Sequence, residues 1–209
     1  MKKIFTSSIF HILFVAFFGF LAYHKLKKEY EFKLFTAANT LGCILPERVI
    51  DEAYQNKPQN LIFYDSLMNK ANQVARIHQV TYVYALILKN DSLFFVISSY
   101  TENDLRKDQV TYYLDYYPEG PEIFKKAFKD KIKTPIYTKI ADSWGVFKTI
   151  IIYKKTALNN PYLLCADISY EEIDHKKYNI IYISLFIFSI IVIISLATIA
   201  YVEKKKLKQ

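Results

Sequence analysis

The chain has 209 residues, 52% of them hydrophobic and 17% aromatic, with a formal net charge of +8. Four glycines leave little room for glycine-rich phosphate loops. The positive charge does not mark a nucleic-acid-binding face: residues 25–177 hold 22 bases against 19 acids, and the excess sits at the two ends.

The N-terminus reads Met-Lys-Lys and then an apolar run, Ile4 to Tyr23. No small-x-small cleavage site follows, so the run is expected to be an uncleaved membrane anchor rather than a signal peptide. His11 and the Ser7-Ser8 pair lie inside it; for the lone His, packing against a second helix or a place near the interface is expected rather than a proton relay. His24 to about Leu45 is free of proline and reads as a helix continuing from that span. Thr40-Leu41-Gly42-Cys43 imitates a lipobox but stands too far from the N-terminus. Pro46 opens a short helical stretch through Glu52, and Asn56 to Asn60 is a loop.

Leu61, Tyr64, Leu67, Met68, Ala71, Val74, Ala75 and His78 recur at helical spacing and predict an amphipathic helix covering a sheet. The period then changes. Thr81 to Leu88 and Leu93 to Ser98 are apolar and β-branched runs joined by Lys89-Asn90-Asp91-Ser92, a hairpin signal. Ser99 to Val110 is polar and reads as a surface loop. Pro118, Gly120 and Pro121 suit a turn leading into a helix at Glu122 to Lys129. Three strands follow: Pro135 to Ile140, Val146 to Tyr153 and Tyr162 to Ile168. Asp142-Ser143-Trp144-Gly145 and Thr156 to Pro161 form the turns between them.

Ile180 to Ala200 carries no charge, proline or glycine, and about 20 such residues cross a bilayer core. Lys176 and Lys177 precede it; Lys204, Lys205, Lys206 and Lys208 follow, with Tyr178, Tyr182 and Tyr201 near its ends. The lysine run predicts cytoplasmic termini and an outward central region. The expected domains are 1–24 (cytoplasmic tip and first span), 25–177 (outward domain), 178–202 (second span) and 203–209 (basic tail). The expected fold class is α+β: a five-stranded antiparallel sheet, a long N-terminal helix and covering helices on one face, flanked by two transmembrane helices.

Several motifs together resemble the single-Cache, PAS-like extracytoplasmic sensor domains of bacterial membrane receptors. The hairpin Tyr82 to Val96 is similar to the family's opening strands. Asp115-Tyr116-Tyr117-Pro118-Glu119-Gly120 resembles its Asp-Tyr-x-Pro-x-Gly loop. Asp142-Ser143-Trp144-Gly145-Val146-Phe147 resembles its Asp-x-Trp-Gly-x-aromatic strand start, and Ala166-Asp167-Ile168 the end of its last strand. The resemblance covers about residues 25–200 and implies a PAS-like sheet, a small organic ligand, a homodimer and a two-pass protein of the bacterial inner membrane with a periplasmic domain. Family members usually continue into a cytoplasmic output module. About eight residues follow the second span here, so the expected output is a separate cytoplasmic signalling protein. The chain departs from the family in its last turn, which lacks glycine, and at Cys165.

Four His and two Cys are scattered without metal spacing, and no nucleophile–base pair has a usable signature, so neither metal, cofactor nor enzymatic activity is expected. Cys43 and Cys165 are as readily two free thiols as a disulfide. Candidate ligand-binding residues are Tyr84, Phe95, Tyr116 and Trp144 as walls, Asp115 in the loop, and Lys148 and Asp167, each the single charge of an apolar strand. Each has a structural alternative. The aromatics could be core, and Lys148 could face solvent or pair with Asp167. A non-sensing assembly subunit of the inner membrane, or the remnant of a truncated receptor, are the alternative functions.

Overall fold

A computed structural model describes residues 2–206. Its elements in chain order are α1 (Lys2–Ile44), α2 (Glu47–Tyr54), α3 (Leu61–His78), β1 (Tyr82–Lys89), β2 (Ser92–Ser98), α4 (Glu102–Lys107), α5 (Glu122–Lys129), β3 (Ile136–Asp142), β4 (Gly145–Lys155), β5 (Pro161–Ser169) and α6 (Tyr170–Lys206). The chain divides into two units, one of residues 29–172 and one of residues 1–28 with 173–209.

Within residues 29–172 the five strands form one antiparallel sheet in the order β2-β1-β5-β4-β3. The β1–β2 hairpin turns through Asn90 and Asp91 at φ of 48° and 61°. Asn and Asp tolerate this left-handed region, and such a turn matches the twist of the flanking strands. A bulge between Ala85 and Leu86 then resets the register: Leu86 pairs Phe95, Ala85 pairs Ile97 and Tyr84 pairs Ser98. Simple alternation along β2 would put Ile97 on the face of Phe95. The bulge instead gives that place to Ser98.

One face of the sheet is covered by α1, α2 and α3. On α1, Tyr30, Leu34, Ala37, Ala38 and Leu41 are buried at helical spacing. The helix comes close to β5 at Gly42, where an added Cβ would stand 2.6 Å from Leu164 Cδ1. Helix α3 starts at Asn60, whose side chain accepts from the Phe63 backbone N–H at 3.1 Å. It buries Tyr64, Leu67, Met68, Ala71, Val74 and Ala75. Leu61 does not belong to that face, contrary to the periodic reading. It stands in the first turn, ahead of the sheet, and is 78% exposed.

The opposite face carries a second core of Tyr84, Leu86, Phe95, Tyr117, Phe124, Ile151 and Leu163, roofed by α5. The expected loop Ser99 to Val110 contains α4. Thr101 accepts from Asp104 N while Asp104 Oδ2 accepts from Thr101 N at 2.7 Å, a reciprocal capping box. The Thr-x-x-Asp spacing was the sequence signal for it.

In the other unit, α6 carries the stretch Tyr170–Tyr201, which is long and apolar enough to cross a membrane and is not buried within the protein. It is the one such stretch among the described residues. The expected first span, Ile4 to Tyr23, runs within α1. Most of its side chains, including His11 and Ser7-Ser8, lie outside the described residues, as does the end of the lysine tail.

Candidate functional site: a cavity floored by Asp167

Period-two alternation sends Tyr82 and Tyr84 of β1, Phe147 and Thr149 of β4, and Cys165 and Asp167 of β5 to the face opposite α1. The segments between β2 and β4 close over them. Together they line a cleft of about 400 Å³ that includes the open solvent at its mouth, of which about 30 Å³ is room for water-sized groups inside. Its walls are aromatic. The Phe95 and Trp144 rings meet edge-on at 6.2 Å, Tyr117 and Trp144 at 6.0 Å, and Tyr82 and Phe147 at 5.5 Å.

Three carboxyl groups line the same space: Asp104, Asp142 and Asp167. Two are used to shape it. Asp104 caps α4 and accepts from the Tyr82 hydroxyl at 3.0 Å, pinning α4 to β1. Asp142 accepts from the backbone N–H groups of Trp144 and Gly145 at 3.0 and 3.3 Å, and from the Tyr117 hydroxyl at 2.5 Å. This fixes the turn that presents Trp144. Gly145 follows at φ of 146°, a conformation that favours glycine. The Trp144 Nε1–H donates to the Gln109 carbonyl at 3.2 Å, so the ring holds the end of the α4 segment as well.

Asp167 is buried, 6% exposed, on the central strand β5. The Tyr84 hydroxyl donates to it at 3.3 Å. Burial pushes its carboxyl up from the usual 3.8 to about 7; the Thr149 and Tyr84 hydroxyls favour the ionised form and the Asp142 charge opposes it. Burial likewise pushes the Tyr84 hydroxyl and the Cys165 thiol well up, with the Asp167 charge adding to both.

Of the seven sequence candidates, Tyr84, Phe95, Trp144 and Asp167 line this cavity. Three do not. Lys148 lies on the other face of the sheet, where its Nζ donates to Glu31 Oε1 of α1 at 3.0 Å. It neither reaches the cavity nor pairs with Asp167. Asp115 accepts from the Tyr112 backbone N–H at 2.7 Å and serves the loop. Tyr116, 56% exposed, packs against Phe94 on the surface. Sequence reasoning missed Asp104, because the capping box was read as loop. It also missed Tyr117 and Asp142, which stand inside the two quoted motifs but were read as turn residues.

No family model matches the chain, and no curated protein matches it. Among solved structures it is similar to the ligand-binding domain of the Campylobacter jejuni chemoreceptor Tlp3 in complex with L-norvaline. The TM-score is 0.45 at 13% identity, over 83% of this chain and 65% of that one. It is also similar to the sensory domain of Tlp3 with isoleucine bound, with a TM-score of 0.39 at 13% identity, over 74% of this chain and 63% of that one. The chain thus spans less than two thirds of the length of these domains.

Proposed function

We propose that this chain is a membrane-anchored extracytoplasmic sensor of the single-Cache, PAS-like kind, binding a small organic molecule in the cavity above Asp167. The observation that carries the reading is the cavity itself: aromatic walls around a buried carboxyl group that has acceptor capacity to spare. A domain used only for assembly contacts gains nothing from such a space, which leaves an acid buried at a cost.

The route out of the site is short along the chain. Asp167 lies on β5, whose last residue, Ser169, leads directly into α6 and its apolar stretch. The Ser169 backbone N–H is held by Thr81 Oγ1 at 2.9 Å, beside the start of β1. A ligand that binds one arrangement of β5 better than another shifts the α6 equilibrium by that difference in affinity and no more. In this proposal the domain faces the periplasm, both α1 and α6 cross the inner membrane, and two copies pair through α1. A separate cytoplasmic signalling protein receives the output.

Trp144 is the chain's single tryptophan and lines the cavity, so its emission reports on the site directly. The full chain in lipid nanodiscs, titrated with small amines, amino acids and carboxylates, should show a saturable emission change and a raised melting temperature with at least one compound. A chain that responds to none of them is an assembly subunit rather than a sensor.

A further inference from the structure

The cavity is one-sided in charge. Among the described residues that line it there are three carboxyl groups and no lysine, arginine or histidine. The lysine expected to enter it is held by Glu31 on the other side of the sheet. No three acid, His or Cys side chains among the described residues stand close enough together to hold a metal ion. The walls, meanwhile, offer the π faces of tyrosine, phenylalanine and tryptophan, which attract organic cations.

A ligand carboxylate would enter this space with no cation to meet it, next to acids that repel it. Desolvating an anion beside like charges is strongly unfavourable. An ammonium group meets the reverse situation. Asp104 and Asp142 already hold several donors each, whereas the carboxylate of Asp167, which lines the cavity, accepts from the Tyr84 hydroxyl at 3.3 Å. We propose that the cavity selects a small organic cation lacking a carboxylate, an amine or a quaternary ammonium, seated between the aromatic walls with its charge at Asp167. This rests on the sensor reading above and narrows it to one ligand class.

A pH dependence follows. Tyr82 and Tyr84 face Asp167 from β1, Tyr117 from the connection before α5, Asp142 from the end of β3, and Cys165 from its own strand. Burial raises all four of those hydroxyl and thiol groups, so Asp167 is the group that titrates near neutrality. A bound cation favours its ionised form. Affinity for a cation of fixed charge should therefore rise with pH up to about 7 and level off above it.

The test uses matched pairs on the full chain in nanodiscs, read by calorimetry and Trp144 emission: choline against glycine betaine, and isopentylamine against leucine. Acetate and propionate serve as bare carboxylates. The expected result is binding of choline or isopentylamine, about tenfold or more tighter than its carboxylated partner. Binding of the cation should weaken by a similar factor in Asp167→Asn. Equal or tighter binding of glycine betaine, leucine or the bare carboxylates overturns the ligand class and leaves the sensor reading standing. Silence from every compound overturns both. An Asp167→Asn variant that binds the cation unchanged overturns the placement of the charge. The matched-pair comparison needs no variant, so a folding failure of Asp167→Asn does not obscure it.

Discussion

Lys148 and Asp167 stand on paired strands but on opposite faces of the sheet, because Lys148 is in register with Ile168 and Asp167 with Thr149. Lys148 meets Glu31 of α1 at 3.0 Å. Asp167 faces the aromatic cavity. The two lone charges therefore have separate jobs and separate tests.

For Lys148 the job is to fasten α1 to β4. The pair is partly buried, and the Tyr137 hydroxyl adds a bond to the Glu31 carbonyl at 3.2 Å. A double-mutant cycle of Glu31→Gln and Lys148→Met should give a coupling on the order of 1 kcal/mol. Neither variant should change the Trp144 response to any ligand. A Lys148→Met protein that folds but loses the response would return Lys148 to the site.

For Asp167 the shift has a sign that stability measurements read. Its carboxyl titrates at about 7 in the folded chain against the usual 3.8, so the folded state holds the proton more tightly. Stability should fall as pH rises from about 3.8 to 7 and then stay level. At about 1.4 kcal/mol per unit the full effect is on the order of 4 kcal/mol. Asp167→Asn removes this titration. The variant should melt higher than the parent at pH 8, with a flatter profile below; identical profiles would refute the buried-acid account.

The cysteines should behave unlike each other. Cys43 is exposed on α1, Cys165 is buried on β5, and both are free thiols. Burial raises the Cys165 thiol and keeps it inert. A maleimide should modify one cysteine in the folded chain, Cys43, and both after denaturation without reductant. Protection of both in the denatured, unreduced chain would reveal a disulfide.

Gly42→Ala sets two effects against each other. Alanine is favoured over glycine in a helix by up to about 1 kcal/mol. The added methyl would stand 2.6 Å from Leu164 Cδ1, in a side chain 1% exposed that has little room to yield. Overpacking of this kind costs about 1–3 kcal/mol, so the variant should be less stable than the parent. Restored stability in Gly42→Ala combined with Leu164→Val would locate the clash.

Topology is checked with reporters. One inserted beside Asn159, in the exposed β4–β5 turn, should report the side opposite to one fused after Gln209. Reporters on the same side would refute a membrane crossing by α6.

Much of the secondary structure was legible because its signals are local. The period of 3.6 over Leu61–His78, the Asn90-Asp91 turn and the uncharged stretch of α6 each depend on a few neighbouring residues. So did the alternation that separates Lys148 from Phe147 and Thr149 within β4. Helix α4 was legible in principle through Thr101 and Asp104, but a six-residue helix in a polar segment gives no periodic signal.

The site was only half legible, since a site is made by strands that are distant in sequence. Backbone pairing decides which residue of β4 stands opposite which residue of β5, and a one-residue difference moves a side chain to the other face. That is why Lys148 reaches Glu31, over a hundred residues away, instead of Asp167. The bulge at Ala85/Leu86 acts the same way, giving Ser98 to the cavity side in place of Ile97. The sequence by itself determined the elements other than α4, their order, and the aromatic and acidic residues available to a pocket. The tertiary structure alone decided which of them share a face, because that depends on inter-strand register and long-range packing.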